Sequence, residues 1–360
     1  MTREERKLRK SIEQHAKNRD RKLHKLAAKL RKAGRSASPR PRFDLRAVDC
    51  EELEENVIPA FEKRARHKPE AASRPGLVFA IGPGACQVLC GSERVHCKPY
   101  PDLAVGDHVL LSARGRRLEV IEEVLPRTTA LSRPDPHNPR LERVLAANID
   151  AVVIVVSVKA PALRLGLIDR YLIAIEKSGA EPVVCVNKMD LVGSEEGLEV
   201  LEPYRALGIS ILPCSAVTGL GVPALVSALA GKLCVLVGHS GVGKSSLLNA
   251  ICPELRLAAR AVSESRGKGR HTTTSSTLYE IPGGARIIDT PGIREFGLWQ
   301  LGREELHGYF HEFDLYAPAC AFSNCAHTHE PACAVKQAVE TGDIPAVRYQ
   351  AYRRILDSLA

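Results

Sequence analysis

The sequence predicts a multi-domain chain in which a basic extension is followed by a small all-β unit, a parallel α/β domain and a C-terminal helical module. Three observations carry this prediction. Residues 77–125 break into short β-like runs, residues 151–251 alternate apolar strands with helices, and Cys320, Cys325, His327 and Cys333 crowd into one short stretch. With 360 residues, the chain is long enough for two or three separate cores. Its 44% hydrophobic and 26% charged residues are those of an ordinary folded protein.

The extension, residues 1–72, is distinguished by charge. Residues 1–46 hold 17 Lys and Arg against 5 Asp and Glu, a balance of +12, and the net +9 of the chain leaves −3 for the remainder. Leu8, Ile12, Leu23, Leu26 and Leu30 have helical spacing, but the stripe is too thin to bury much. Such a segment is either a solvated tail or a polyanion-binding one, and nucleic acid is the default polyanion. The start has no apolar stretch behind its charges, and Glu4, Glu5, Glu13 and Asp20 are atypical of a transit peptide. No apolar run approaches the ~20 residues of a membrane span. The 11 cysteines are odd in number and mostly single within apolar runs, which favours a reducing compartment with any cluster binding metal. A cytoplasmic protein is therefore expected, with no membrane partner.

Residues 73–130 are expected to form an OB-like β-barrel. LVFAI, CQVLC, DHVLLSA and RLEVIEEVL are separated by turn residues at Gly82, Gly84, Gly91, Gly106 and Gly115. Size favours the OB-like form, although pattern alone does not separate it from an SH3-like barrel. Residues 131–300 are expected to form a parallel α/β sheet domain. AVVIVVSV (151–158) and PVVCVNK (182–188) are continuous apolar runs, as in strands covered on both faces. Helices are predicted at 163–177, 198–207, 222–229 and 244–251, and strands at 210–214 and 233–237. The module at 301–360 is expected to be helical on either side of its Cys/His cluster.

GHSGVGKS (238–245) follows the strand KLCVLVG and opens the helix SSLLNAI, the context a phosphate-binding loop requires. Gly238, His239, Ser240, Gly241, Val242 and Gly243 would wrap the phosphates, and Lys244 would bridge the β- and γ-phosphates. The Ser245 hydroxyl would hold Mg²⁺, with Ser246 next in the helix. DTPG (289–292) ends another apolar strand. Asp289 would hold Mg²⁺ through a water, and the Gly292 N–H would sense the γ-phosphate.

NKMD (187–190) would read the base. The Asp190 carboxylate accepts from both N1–H and the N2 amino group of guanine, whereas adenine presents an acceptor to it. Asn187 would brace the O6 side and the Lys188 stem would cover the ring. CSAVTG (214–219) contributes Ser215 and the Ala216 N–H. The base-reading motif precedes the phosphate loop, so the motifs are those of a P-loop α/β GTPase domain in circularly permuted order.

These motifs and their surroundings resemble the circularly permuted RsgA or YjeQ family of ribosome small-subunit biogenesis GTPases. ANIDAVVIVVS (147–157), LIDRYLIAIE (167–176), GHSGVGKSSLLNAI, GRHTTT (269–274) and IIDTPGIREFGL (287–298) carry the resemblance, which covers roughly residues 75–350. It implies an OB barrel, a permuted GTPase domain and a zinc module. It also implies that GRHTTT is switch I, with one threonine, Thr273 or alternatively Thr272, completing the Mg²⁺ shell. Many GTPases place Gln after the DxxG glycine, but here Ile293 follows, and an aliphatic side chain cannot hold the attacking water. His271 is the candidate to do so, alongside Lys244 and Thr273, unless a partner completes the site.

Three thiolates and one imidazole suit a single tetrahedral Zn²⁺ per chain with a full protein shell, a structural site. His329 competes with His327 for the fourth position, and the resemblance favours His327. Cys86, Cys90, His96 and Cys97 form a second cluster, read as small buried residues in a β-rich core. Together these readings predict a monomeric GTPase that binds GTP and GDP with Mg²⁺, the small ribosomal subunit and 16S-type rRNA. The alternatives are a GTP-dependent switch for another RNA or protein complex, and a non-enzymatic RNA-binding module.

Overall fold

The computed structural model describes residues 73–82, 84–112, 119–135, 138, 141–193, 197–255, 276–289, 298 and 301–359. The extension 1–72, the 269–274 motif with His271, Thr272 and Thr273, and Gly292 and Ile293 lie outside them, as does the Asp289 side chain.

Five short strands come first: β1 (Arg74–Gly82), β2 (Ala85–Cys90), β3 (Glu93–Cys97), β4 (His108–Ser112) and β5 (Val120–Val124). Pairing runs from β3 through β2 to β1, from β1 to β4 and from β4 to β5. A bridge between Cys97 and Glu119 returns the circuit to the end of β3. Alternate residues point into its centre, where Val78, Val88, Val95, Val109, Leu111 and Ile121 pack with Cys86 and Cys97. The cysteines of the second cluster thus serve mainly as core, while His96 stays exposed and pairs with Gln87 at 3.2 Å. Beside this unit, Arg127 grips the buried Asp107 with two bonds of 2.6 and 2.8 Å. Two further strands, β6 (Ala130–Pro134) and β7 (Glu142–Ala147), form a separate antiparallel pair.

The larger sheet continues with β8 (Ala151–Ser157), helix α1 (Leu165–Ser178) and β9 (Glu181–Asn187). Helix α2 (Glu202–Ala206), β10 (Ser210–Pro213), α3 (Val222–Leu229), β11 (Leu233–Val237) and α4 (Lys244–Ile251) follow. β12 (Ser276–Glu280) and β13 (Arg286–Asp289) complete it. The strand order is β10-β9-β8-β11-β13-β12, parallel except for β12. All seven residues of β8 are buried because helices cover both faces. Ile154, Val156, Val184 and Val186 face Tyr171 and Ile175 of α1, whereas Val153, Val155, Val183 and Cys185 face Leu225, Leu247 and Leu248 of α3 and α4. Gly179, at φ 80°, closes α1 in the left-handed conformation that glycine adopts most readily.

One connection was not foreseeable from local pattern. β12 is not a free edge: Ala80 and Ile81 of β1 pair with Thr277 and Ser276, so the first unit extends the larger sheet. An unpaired edge would leave its N–H and C=O groups open to other chains, and β1 covers it.

The C-terminal segment differs from the expected flanking helices. Before the cluster it contains only short 3₁₀ turns, Leu306–Tyr309, His311–Phe313 and Ala317–Ala319. The first ends at Phe310, whose φ of −113° and ψ of 72° are non-helical, and whose ring is fully buried. Two helices, α5 (Ala334–Thr341) and α6 (Ala346–Ser358), follow the cluster. Phe310 and Phe313 meet Tyr352 of α6 edge-on at 5.3 and 5.1 Å, forming the centre of this core.

Candidate functional site

The parallel strands β8, β9, β10, β11 and β13 end on the same side of the sheet, where α/β proteins bind ligands. Two loops that the sequence keeps apart meet there. The buried Asn187, at the end of β9, donates from Nδ2 to the Val242 carbonyl at 2.9 Å. Its Oδ1 accepts from the Ala216 N–H at 3.1 Å. One amide therefore ties the 238–245 loop to the 214–219 loop. Asn187 and Ala216, both expected on the base side, bond to each other here. Asn187→Ala would leave a buried carbonyl and an N–H without partners. We expect a loss of about 3 kcal/mol in chemical denaturation, at ~1–3 kcal/mol per orphaned group.

Asp190 is exposed, in a single 3₁₀ turn after Lys188, and its Oδ1 accepts from the Ser215 hydroxyl at 2.5 Å. The Ser215 oxygen in turn accepts from the N–H groups of Val217 and Thr218, at 3.3 and 3.2 Å. The carboxylate of this exposed residue is thereby fixed in direction. Lys188 adopts φ 66°, and its ammonium donates to the Ala160 carbonyl in the loop after β8.

The phosphate-loop candidate is shaped by close backbone approach. A Cβ on Gly238, at φ 143°, would meet the Val155 carbonyl oxygen at 2.1 Å. One on Gly243, at φ 96°, would meet Asn187 Nδ2 at 2.4 Å. Neither position accepts a side chain, so the glycine spacing follows from packing. The Lys244 ammonium donates to the carbonyls of Gly238 and His239 at 2.6 and 2.9 Å, arching over the loop. His239 Nδ1 lies 2.9 Å from the Ser240 carbonyl, and Gly241 lies beside Pro161. Ser245 and Ser246 are exposed in the first turn of α4, whose N–H groups and dipole favour an anion. The backbone of Asp289 ends β13, which neighbours the loop-bearing β11. Sequence reasoning missed Tyr171, which is buried from α1 in one core with Val156 and Val237, the residue before Gly238. Its only sequence signal is a place on the apolar face of α1.

Among the described residues, one group has the make-up of a metal site: Cys320, Cys325, His327 and Cys333, with all donor atoms within 4.8 Å of one another. Cys320 Sγ lies 3.8 Å from Cys333 Sγ, and His327 Nδ1 lies 3.6 and 3.5 Å from these sulfurs. A tetrahedron with Zn–S of ~2.3 Å and Zn–N of ~2.0 Å has edges of roughly 3.8 and 3.5 Å, so the donors fit that ion. Burial opposes ionisation of Cys320, but the backbone N–H groups of Val335 and Ala334, at the start of α5, lower its thiol below the ordinary range. Burial, reinforced by His307, lowers the His327 imidazole and keeps its lone pair available. Glu330 accepts from the N–H groups of Ala326 and Thr328 at 2.9 and 2.8 Å, bracing the loop on both sides of His327. Tyr352 and Tyr349 donate to the Ala326 and His327 carbonyls at 2.8 and 2.7 Å. His329 instead contacts the Thr328 hydroxyl.

The sheet order, with the NKMD strand β9 preceding the phosphate-loop strand β11 in the chain, defines a circularly permuted P-loop GTPase. A family model described as RsgA GTPase matches residues 124–299. The small ribosomal subunit biogenesis GTPase RsgA 1 of Vibrio vulnificus (strain YJ016) is 46% identical over 244 residues, covering 67% of this chain and 68% of that protein. The RsgA of Haemophilus influenzae (strain 86-028NP) is 43% identical over 265 residues, covering 72% and 76%. Among solved structures, YjeQ from Thermotoga maritima matches with a TM-score of 0.65 at 35% identity, over 80% of this chain and 99% of that one. YloQ, described as a circularly permuted GTPase, matches with a TM-score of 0.61 at 28% identity, over 82% and 97%. The chain belongs to the RsgA GTPase family and is a GTP-hydrolysing enzyme.

Proposed function

We propose that this GTPase acts in maturation of the small ribosomal subunit in the cytoplasm, binding rRNA and leaving after hydrolysis. The observation that supports the site assignment is the Asn187 bridge between Val242 and Ala216, which ties the 238–245 and 214–219 loops together so that one nucleotide would span them. Guanine would lie between Lys188 and the 214–219 loop. Asp190, aimed by Ser215, would accept from N1–H and the N2 amino group. The phosphates would lie over Gly238, His239, Ser240, Gly241, Val242, Gly243, Ser245 and Ser246. Lys244 would exchange its two carbonyl partners for phosphate oxygens.

Hydroxyl and carboxylate oxygens suit Mg²⁺, and Ser245, Asp289 and Thr273 are the residues that would hold it. When bound with GTP, that ion supplies neutralisation of charge on the β- and γ-phosphates. Water attacks the γ-phosphorus, the bond to the β–γ bridging oxygen breaks, and GDP and phosphate leave. His271 is our candidate to orient that water, and the Gly292 N–H to report the γ-phosphate.

We read the β1–β5 circuit as an OB-like barrel within 73–130, residues 131–300 as the GTPase domain and 301–360 as the zinc module. One Zn²⁺ held by Cys320, Cys325, His327 and Cys333 would be structural, joining the 3₁₀ turns to α5 and α6. The basic extension 1–72 adds positive charge for rRNA, and the protein is taken as a monomer. No helix among the described residues is long and apolar enough to cross a membrane.

Sedimentation with isolated small subunits tests the partner. With a non-hydrolysable GTP analogue, the protein should travel with the subunits, and with GDP it should stay behind. Sedimentation independent of nucleotide, or with unrelated RNA as well as with subunits, would favour a switch serving another complex.

A further inference from the structure

Strand β8 ends on a residue that its covered position does not call for. Six of its seven residues are alanine, valine or isoleucine, and the seventh, Ser157, is as buried as they are, at 2% exposure. A hydroxyl taken out of water costs free energy unless a hydrogen bond replaces what it loses, and another valine would avoid that cost. Ser157 donates to the Pro161 carbonyl at 2.6 Å, closing residues 158–161 into a turn against the end of their own strand.

That turn meets both halves of the nucleotide site. On the base side, Ser157 stands opposite Asn187 in the β8–β9 register, and the Val158 N–H donates to the Asn187 carbonyl at 3.1 Å. The Ala160 carbonyl accepts from the ammonium of Lys188, the residue after Asn187. On the phosphate side, a Cβ on Gly241 would lie 3.8 Å from Pro161 Cδ, and one on Gly243 would lie 3.9 Å from Lys188 Cε. The Lys188 stem therefore passes beside the 238–245 loop on its way to Ala160.

Both ends of this contact have unusual backbones, Ala160 at φ 55° and Lys188 at φ 66°. The left-handed region is uncommon for residues with a Cβ, and such conformations persist where neighbouring contacts hold them. The Ala160 carbonyl holds Lys188, and the Ser157 hydroxyl holds the turn that presents this carbonyl. A lysine stem left free in solvent loses rotamer freedom when it packs on a ligand, whereas an anchored stem has lost it already.

We propose that Ser157 is a positioning residue for the guanine nucleotide. Its hydroxyl fixes the 158–161 turn, the Ala160 carbonyl of that turn anchors the Lys188 ammonium, and the anchored stem stands ready to cover the base. None of the nucleotide motifs includes Ser157 or this turn. The inference rests on Lys188 as the base-covering residue, which Lys188→Met tests by itself.

The test is GDP affinity, by fluorescence titration of the full chain, in Ser157→Ala, Lys188→Met and the double variant. Methionine keeps an apolar stem but has no ammonium for the Ala160 carbonyl. Each single variant should weaken GDP by about fivefold, and the double variant should bind no more weakly than the poorer single, because both break one chain of contacts. A serine that merely supports the fold would act without regard to Lys188, and its factor would multiply with that of Lys188→Met. Multiplying factors, or Ser157→Ala within twofold of the parent while Lys188→Met weakens GDP, would overturn the proposal and leave the base reading standing. Lys188→Met within twofold of the parent would remove the reading of Lys188 and the proposal with it. Stopped-flow release of GDP provides a second measurement, since loss of a pre-set contact shows mainly in the off-rate. Ser157→Ala should release GDP about fivefold faster than the parent, and an unchanged release rate would equally overturn the proposal.

Discussion

Asp190→Asn should weaken GTP and GDP binding by at least ~100-fold and transfer the preference to xanthine nucleotides. The carboxylate is held by Ser215 at 2.5 Å, so it has little freedom to seek another partner. Guanine offers two donors to it, N1–H and the N2 amino group, and bonds to an ionised acceptor contribute ~1.5–3 kcal/mol each. An amide keeps one acceptor and turns a donor towards the other donor. Xanthine carries a carbonyl at that position, and the amide then matches it. Size and packing change little, so the fold should be retained. Titration with fluorescent GDP and XDP checks this, and GDP affinity within threefold of the parent would remove Asp190 as the base reader.

Removing the metal should have the second large effect. Cys333 is buried, and the C-terminal core is one small cluster of twelve buried residues around Phe310, Phe313 and Tyr352, with α5 and α6 as the regular helices of this segment. A structural zinc site contributes folding energy outright, ~10–16 kcal/mol in isolated zinc-finger peptides, more than a core of this size supplies. Chelation or Cys333→Ser should release one zinc per chain. It should also unfold 301–360 well below the melting temperature of the parent, with the parallel sheet retained. Calorimetry alongside metal analysis checks both. A parent with far less than one zinc, or unchanged melting after its release, would contradict the structural role.

The parts of this molecule legible in its sequence are those where one residue type has one physical reason. β8 reads as a strand covered on both faces because six of its seven residues are apolar without alternation. The glycines of 238–245 read as a phosphate loop, and the structure adds that Gly238 and Gly243 abut Val155 and Asn187. The four zinc candidates read as a cluster because their spacing is short. Other features depend on contacts that periodicity does not carry. Nothing local in Asn187 indicates that its amide joins two loops, because that bond exists only once β9 and β11 stand on either side of β8. The pairing of β1 with β12 joins Ala80 to Thr277, residues far apart in the chain. Asp169 looks like a position on a helix, and its carboxylate acquires meaning only when Tyr204 and Arg348 arrive. Before Cys320 the apolar Leu306, Tyr309, Phe310 and Phe313 lie three or four apart, a spacing that helices and successive tight turns both produce.

GTP turnover by the purified full chain, with and without isolated small ribosomal subunits, tests the central claim most directly. Ile293 in place of a water-orienting residue predicts slow turnover alone, and completion of the site by the subunit predicts a rise of at least ~10-fold. The same rate with and without subunits would contradict a GTPase switched by the small subunit.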